Sequence, residues 1–177
     1  MSGEGREVMT IEVANRQARL SVDEGRLVRA VEMILEEAGI AEGQVSVAVV
    51  DDATIHRLNR DYLEHDSATD VLSFELERAG ERLEAEVVVS ADTADETASR
   101  FGWSAADELL LYVIHGTLHL VGSNDQTSEE RARMQARERV YLGRFGLEPR
   151  YEGPGGGEPG PAASPSSGPS DGGEKIP

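Results

Sequence analysis

"ELLLYVIHGTLHLVGSND", residues 108–125, is the stretch on which the fold turns. With "SAAD" before it, it reads as one long helix from about Ser104 to Gly122, apolar nearly all round. A helix with no polar face is surrounded by other elements rather than laid on a surface. Into it are set His115 and His119, four residues apart, so both rings project from one face, one turn apart. Two metal ligands need that spacing, and it is half of the H-E-x-x-H zinc pattern, with Gly116 where that pattern has its glutamate base. Gly122 can take a left-handed conformation that ends the helix and turns the chain back. A ligand three residues later, Asp125, then reaches toward the same ion. The whole pattern, H-x-x-x-H-x-x-G-x-x-D, parallels the ligand spacing of the metzincins. Two ligands from a helix and one from a turn leave a coordination position open, which marks a catalytic site rather than a structural one. Asp125 has a second reading, as N-cap of the helix that begins at "TSEERARM", residues 127–134.

Outward from this helix the periods alternate. "VMTIEVANR" (8–16) is a strand, and "SVDEGRLVRAVEMILEEAG" (21–39) is a helix, with Leu27, Val28, Val31, Ile34 and Leu35 on one face and Gly39 as its stop. "QVSVAVVD" (44–51) is a strand and "DATIHRLNRDYL" (52–63) a short capped helix. "DVLSFEL" (70–76) and "EAEVVVSAD" (84–92) are strands, and "DTADETASRFG" (92–102) is an amphipathic helix. After the histidine helix, "TSEERARMQARERVYLGRFG" (127–146) is the last helix, opened by a capping-box pair at Thr127 and Glu130. The expected fold is α+β: about four strands in a mixed sheet, packed with about five helices, the histidine helix buried at the centre.

The 177 residues are enough for one domain, expected over residues 6–150. From Gly153 to Pro177, 14 of 25 residues are Gly or Pro and only Ile176 is a large apolar residue. Such a segment buries too little to offset the entropy of ordering it, so residues 151–177 read as a disordered tail. With no cysteine in the chain, any transition-metal site must be built from His, Asp and Glu. The formal charge is −17 and the one lysine, Lys175, lies in the tail, which disfavours indiscriminate nucleic-acid binding without excluding a local basic patch. No signal-peptide pattern or membrane-spanning run is present, so a cytoplasmic protein without membrane attachment is expected.

At this point two blocks carry a resemblance. "HGTLHLVG" (115–122) is similar to the signature H-G-x-L-H-L-x-G-Y-D-H of the YbeY family, bacterial rRNA maturation factors. "LNRDYLEHDSATDVLSFEL" (58–76) resembles that family's second block, in which Leu-Asn precedes a "TDVLSF" strand, and "EAEVVVSAD" resembles the strand that follows. The similarity runs in order from about Val45 to Phe145. It implies a metal-dependent, single-strand-specific endoribonuclease acting in 16S rRNA processing and ribosome quality control. Its partners would be single-stranded RNA, rRNA and ribosomal proteins.

The departures matter as much. The family's third histidine falls on Asp125, its arginine after the "LNxxY" stretch on Leu63, and its proline before "TD" on Ala68. The implied metal set is His115, His119 and Asp125 around one Zn2+, one unit less positive than three neutral histidines would make it. A less positive site acidifies a bound water less. Loss of the arginine removes a phosphate clamp, a role for which Arg60, three residues earlier, is the remaining candidate. His65, in the loop "EHDSATD", is an alternative third ligand; His56 is the other remaining imidazole. Asp70 reads as a turn residue, and Glu86 falls where the family has an acid. No side chain is assigned as general base, a water activated by the metal being the expected nucleophile. Arg131, Arg133, Arg137, Arg139 and Arg144 read as a solvated face balanced by Glu129, Glu130 and Glu138, with an RNA-facing patch as the other reading. Two alternatives to the nuclease stand: a metallopeptidase, suggested by the ligand spacing, and a non-catalytic ribosome-assembly factor, suggested by Leu63.

Overall fold

A computed structural model describes residues 8–63 and 69–150; His65 and the Gly/Pro-rich segment 151–177 lie outside the described residues. The elements are β1 (Met9–Asn15), α1 (Glu24–Glu37), β2 (Glu42–Val50), α2 (Asp52–Leu63), β3 (Val71–Ala79), β4 (Arg82–Ser90), α3 (Ala91–Phe101), α4 (Ala105–Leu120) and α5 (Ser128–Gly143). The sheet has the order β1-β2-β4-β3, with β1, β2 and β4 parallel and β3 antiparallel on β4. This is the expected α+β fold with a mixed sheet of four strands and five helices among the described residues. None of those helices is long and apolar enough to cross a membrane.

The two faces of the sheet are covered unequally. Val45, Val47 and Val49 of β2, with Leu83, Ala85, Val87 and Val89 of β4, meet α1 and α4 in the main core. On the other face Ala48, Val50, Leu72 and Val88 close around Ile55 of α2. The second halves of β2 and β4, residues 47–50 and 87–90, are therefore buried at every position, and up to Ser90 the sequence there runs apolar without alternation. The edge strand β3 is longer than the periodicities indicate, and its partner β4 begins two residues earlier. They extend through Ala79 and from Arg82 across a turn at Gly80, because charged residues on an exposed edge mask the alternation. The strand expected through Asp92 instead stops at Ser90, whose Oγ accepts from the Thr93 N–H at 3.1 Å and caps α3.

Helix α4 lies in the middle. Ser104 caps it by accepting from the Asp107 N–H at 3.0 Å. From Glu108 to Leu120 every residue is buried except His115 and His119. Fully buried Leu109, Leu110, Ile114 and Leu118 each contribute about 1.5–3 kcal/mol of transfer free energy. Its backbone rests directly on the sheet at Gly116. A Cβ there would stand 2.8 Å from Val87 Cγ1, 2.9 Å from Val71 Cγ2 and 3.0 Å from Ser73 Oγ. Ser73 Oγ in turn donates to the Gly116 carbonyl at 2.8 Å.

Candidate metal centre

Three local features converge where α4 ends. The spacing of four puts His115 and His119 on one face, with their Nε2 atoms 3.2 Å apart. Beyond them the chain reverses at Gly122, whose φ is +104°. The Gly122 N–H donates to the His119 carbonyl at 3.1 Å and the Ser123 N–H to the Leu118 carbonyl at 3.0 Å. These are the two bonds of a Schellman turn, which needs a residue tolerant of positive φ at its pivot. The loop then runs back over the histidines and is fastened by α5. Glu130 accepts from the Gln126 and Thr127 N–H groups at 3.0 and 3.2 Å, and Thr127 Oγ1 accepts from the Glu130 N–H at 3.0 Å, the expected capping box. Thr127, not Asp125, is thus the cap of α5.

Freed from capping, Asp125 points at the histidines. Its Oδ2 lies 3.3 Å from His115 Nε2 and 3.4 Å from His119 Nε2. With the 3.2 Å between the two nitrogens, these atoms form a nearly equilateral triangle. Among the described residues they form a group able to hold a metal ion. A tetrahedral ion about 2.0–2.1 Å from each donor sets its donors roughly 3.3 Å apart, so the triangle has the size of one face of such a tetrahedron. The side chains are 17%, 31% and 30% exposed for His115, His119 and Asp125, open enough to admit a small substrate group on the outer side.

Charge around the triangle is strongly coupled. Burial opposes ionisation of His115, but hydrogen bonds with Asp125 and Glu138 outweigh it and push the ring up to about 10. Burial likewise opposes the Asp125 carboxylate, and its bonds to His115 and His119 hold it well below the usual carboxylate range. Asp70, at the entry to β3, is pushed up to about 6 by burial, with the charge of His115 pulling the other way. The polar stripe continues inward along α4 through Tyr112 to Glu108, which is completely buried and accepts from Trp103 Nε1 at 2.7 Å. Burial pushes Glu108 up to about 7 against the bond from Trp103.

The other candidates fall elsewhere. Arg60 is exposed on α2 and lies against Asp61 at 3.4 Å. His56 is half-buried on the same helix. Glu86 shares the α2 side of β4 with Val88, opposite the face on which α4 lies. The reading of α5 as a face of local ion pairs needs correction. Glu138 is only 2% exposed, and its Oε2 is 2.5 Å from His115 Nδ1. Arg137 donates to Ser123 Oγ at 2.7 Å, Arg131 to the Gln126 carbonyl at 3.2 Å, and Arg144 to Glu37 at 2.5 Å. A signal for Glu138 exists in the sequence: with Met134, Tyr141 and Leu142 it occupies the buried stripe of α5 at helical spacing.

A family model described as Endoribonuclease YbeY matches residues 12–146, which contain the whole triangle. The chain belongs to the YbeY family. It is 47% identical over 112 residues to the Endoribonuclease YbeY of Rhodopirellula baltica, covering 62% of this chain and 58% of that protein. The Endoribonuclease YbeY of Chlorobaculum parvum is 38% identical over 137 residues, covering 77% of this chain and 96% of the relative. A Thermotoga maritima protein solved in solution superposes with a TM-score of 0.50 at 25% identity, over 84% of this chain and 99% of that one.

Proposed function

We propose that this protein is a zinc-dependent endoribonuclease that cuts single-stranded RNA during ribosomal RNA maturation in the cytoplasm. His115, His119 and Asp125 hold the ion. The observation that carries the reading is their donor triangle, with sides of 3.2–3.4 Å, inside a domain whose relatives are named endoribonucleases. Its dimensions and its two imidazoles favour zinc over magnesium or calcium, which prefer all-oxygen sets. A bound zinc ion supplies positive charge for a phosphoryl oxygen and acidifies water. The protein's own part is to hold three donors in place, keep the inner side dry through α4, and leave the outer side open to a strand of RNA. The carboxylate of Asp125 lowers the net charge of the set, so slower cleavage is expected than from three neutral histidines. Ribosomal proteins are the proposed partners that bring this acidic chain to its RNA.

A metallopeptidase is disfavoured by packing. Position 116, where the peptidase pattern has its base, faces Val71, Ser73 and Val87 at distances too short for even a methyl group unless the packing shifts. Its side chain would point into the sheet, away from the open side of the triangle. The test is cleavage of a labelled single-stranded RNA and of the same sequence as a duplex by zinc-loaded protein. Cleavage of the single strand alone, abolished by chelation and by His115→Ala, supports the proposal. Intact RNA with rRNA processing still dependent on the protein would replace it with the assembly-factor reading, and hydrolysis of peptide but not RNA with the peptidase.

A further inference from the structure

Helix α5 carries no atom of the donor triangle, yet it touches both His115 and the loop that carries Asp125. Glu138 lies beneath His115, its side chain 3% exposed, with Oε2 at 2.5 Å from Nδ1. Arg137 reaches the far side of the Schellman turn at Ser123 Oγ, 2.7 Å away. Arg131 reaches the carbonyls of Asp125 and Gln126 at 3.4 and 3.2 Å. Helix-forming sequence alone does not call for a carboxylate in a buried stripe, because burying one unpaired costs several kcal/mol, roughly. The buried acid at 138 needs a partner, and His115 Nδ1 is placed to be one.

We propose that Glu138 is the positioning residue of the metal centre: it accepts from the Nδ1–H of His115 and so keeps the Nε2 lone pair aimed at the ion, while Arg137 and Arg131 hold the loop that delivers Asp125. A neutral imidazole has one protonated and one free nitrogen, and a strong acceptor at Nδ1 decides which is which. With the proton fixed at Nδ1, Nε2 is the ligand atom, and a flip of the ring would break the contact with Glu138. The same carboxylate makes Nε2 a better donor to a cation. Among the described residues no carboxylate lies beneath His119 in this way, and it is nearer the surface, its side chain 31% exposed against 17% for His115. His115 is therefore the anchored ligand of the pair. This inference rests on the metal-site reading above, and its test separates the two.

The experiment is zinc affinity, measured by competition with a chromophoric chelator on folded wild type, Glu138→Ala and Glu138→Gln, with the His115 tautomer read from nitrogen-15 chemical shifts. Glu138→Ala is expected to bind zinc about 10–100-fold more weakly. Glu138→Gln keeps an acceptor but not the charge, and its affinity is expected to fall between the two. In zinc-loaded wild type the His115 signals report a protonated Nδ1 with Nε2 on the ion, and in the zinc-loaded alanine variant that single arrangement is lost. If Glu138→Ala fails to fold, Glu138→Gln decides: weakened zinc binding supports the role and wild-type affinity overturns it. Folded variants with wild-type affinity and an unchanged tautomer overturn the role of Glu138 but leave the metal site standing. A wild-type protein that binds no zinc overturns both.

Discussion

Substituting Gly116 by alanine tests the packing that sets the whole site. A single methyl group added there would sit 2.8–3.0 Å from Val87 Cγ1, Val71 Cγ2 and Ser73 Oγ, where about 3.5–4.0 Å is comfortable for carbon. None of the three can swing aside. Both valines are β-branched and stiff at χ1, and the serine hydroxyl is tied to the Gly116 carbonyl at 2.8 Å. Relief must come from α4 lifting off the sheet. Overpacking a filled core costs about 1–3 kcal/mol, and exchanging helical glycine for alanine offsets about 1, leaving a net loss of roughly 0–2 kcal/mol. Gly143, within α5, is the control, since a Cβ there meets nothing within 4 Å. Gly143→Ala is expected to stabilise by about 0.4–1 kcal/mol. Urea unfolding followed by circular dichroism, with chelator present so that metal release does not contribute, measures both. Gly116→Ala stabilised as much as Gly143→Ala would refute the argument that this position faces the sheet, and with it the steric case against a glutamate base.

Other consequences concern charge, capping and substrate. Glu108 is raised from 4.5 unfolded to about 7 folded by burial, so it favours folding below pH 4.5 and that contribution is lost as pH rises to 7. Asp70, raised to about 6, acts in the same direction. Glu108→Gln, which keeps an acceptor for Trp103, is expected to reduce the loss of stability between pH 5 and 8 by on the order of 3 kcal/mol in paired urea titrations, and equal slopes would show that Glu108 is not held neutral. Thr127→Ala removes the cap of α5 and should cost about 1 kcal/mol in thermal or urea unfolding, whereas no change would return the capping role to Asp125. Leu63→Arg restores the cation of the family's second block, and one charge-assisted phosphate contact of about 1.5 kcal/mol would raise kcat/KM on RNA roughly tenfold with zinc affinity unchanged. An unaltered rate would show that position 63 does not meet the substrate.

Much of this fold was legible because its signals are local. His115 and His119 share a face by spacing, Gly122 supplies the reversal, and Thr127 with Glu130 announces the next helix. The α4 pattern indicated burial on all sides, and from Glu108 to Leu120 only its histidines reach the surface. What sequence reasoning missed depends on partners distant in the chain. Glu138 looked like one acid among arginines until α5 packed it beneath a ring 23 residues earlier. Arg137 and Arg131 looked like a solvated or RNA-facing row, and their donors are turned onto the 123–126 loop instead. The outer half of β3 was hidden because an edge strand at the surface has no reason to alternate apolar and polar residues. The two readings of Asp125 could not be separated from spacing, since a cap and a ligand both suit an aspartate before a helix. Geometry separates them: Thr127 takes the cap and Asp125 closes the triangle.

The most direct test of the central claim is zinc stoichiometry, by elemental analysis of wild type and Asp125→Ala purified side by side and reconstituted with zinc. The account predicts about one zinc per chain in wild type and its large loss in the variant, since three protein donors are the minimum for such a catalytic site. Equal zinc in both proteins, or none in wild type after reconstitution, would contradict it.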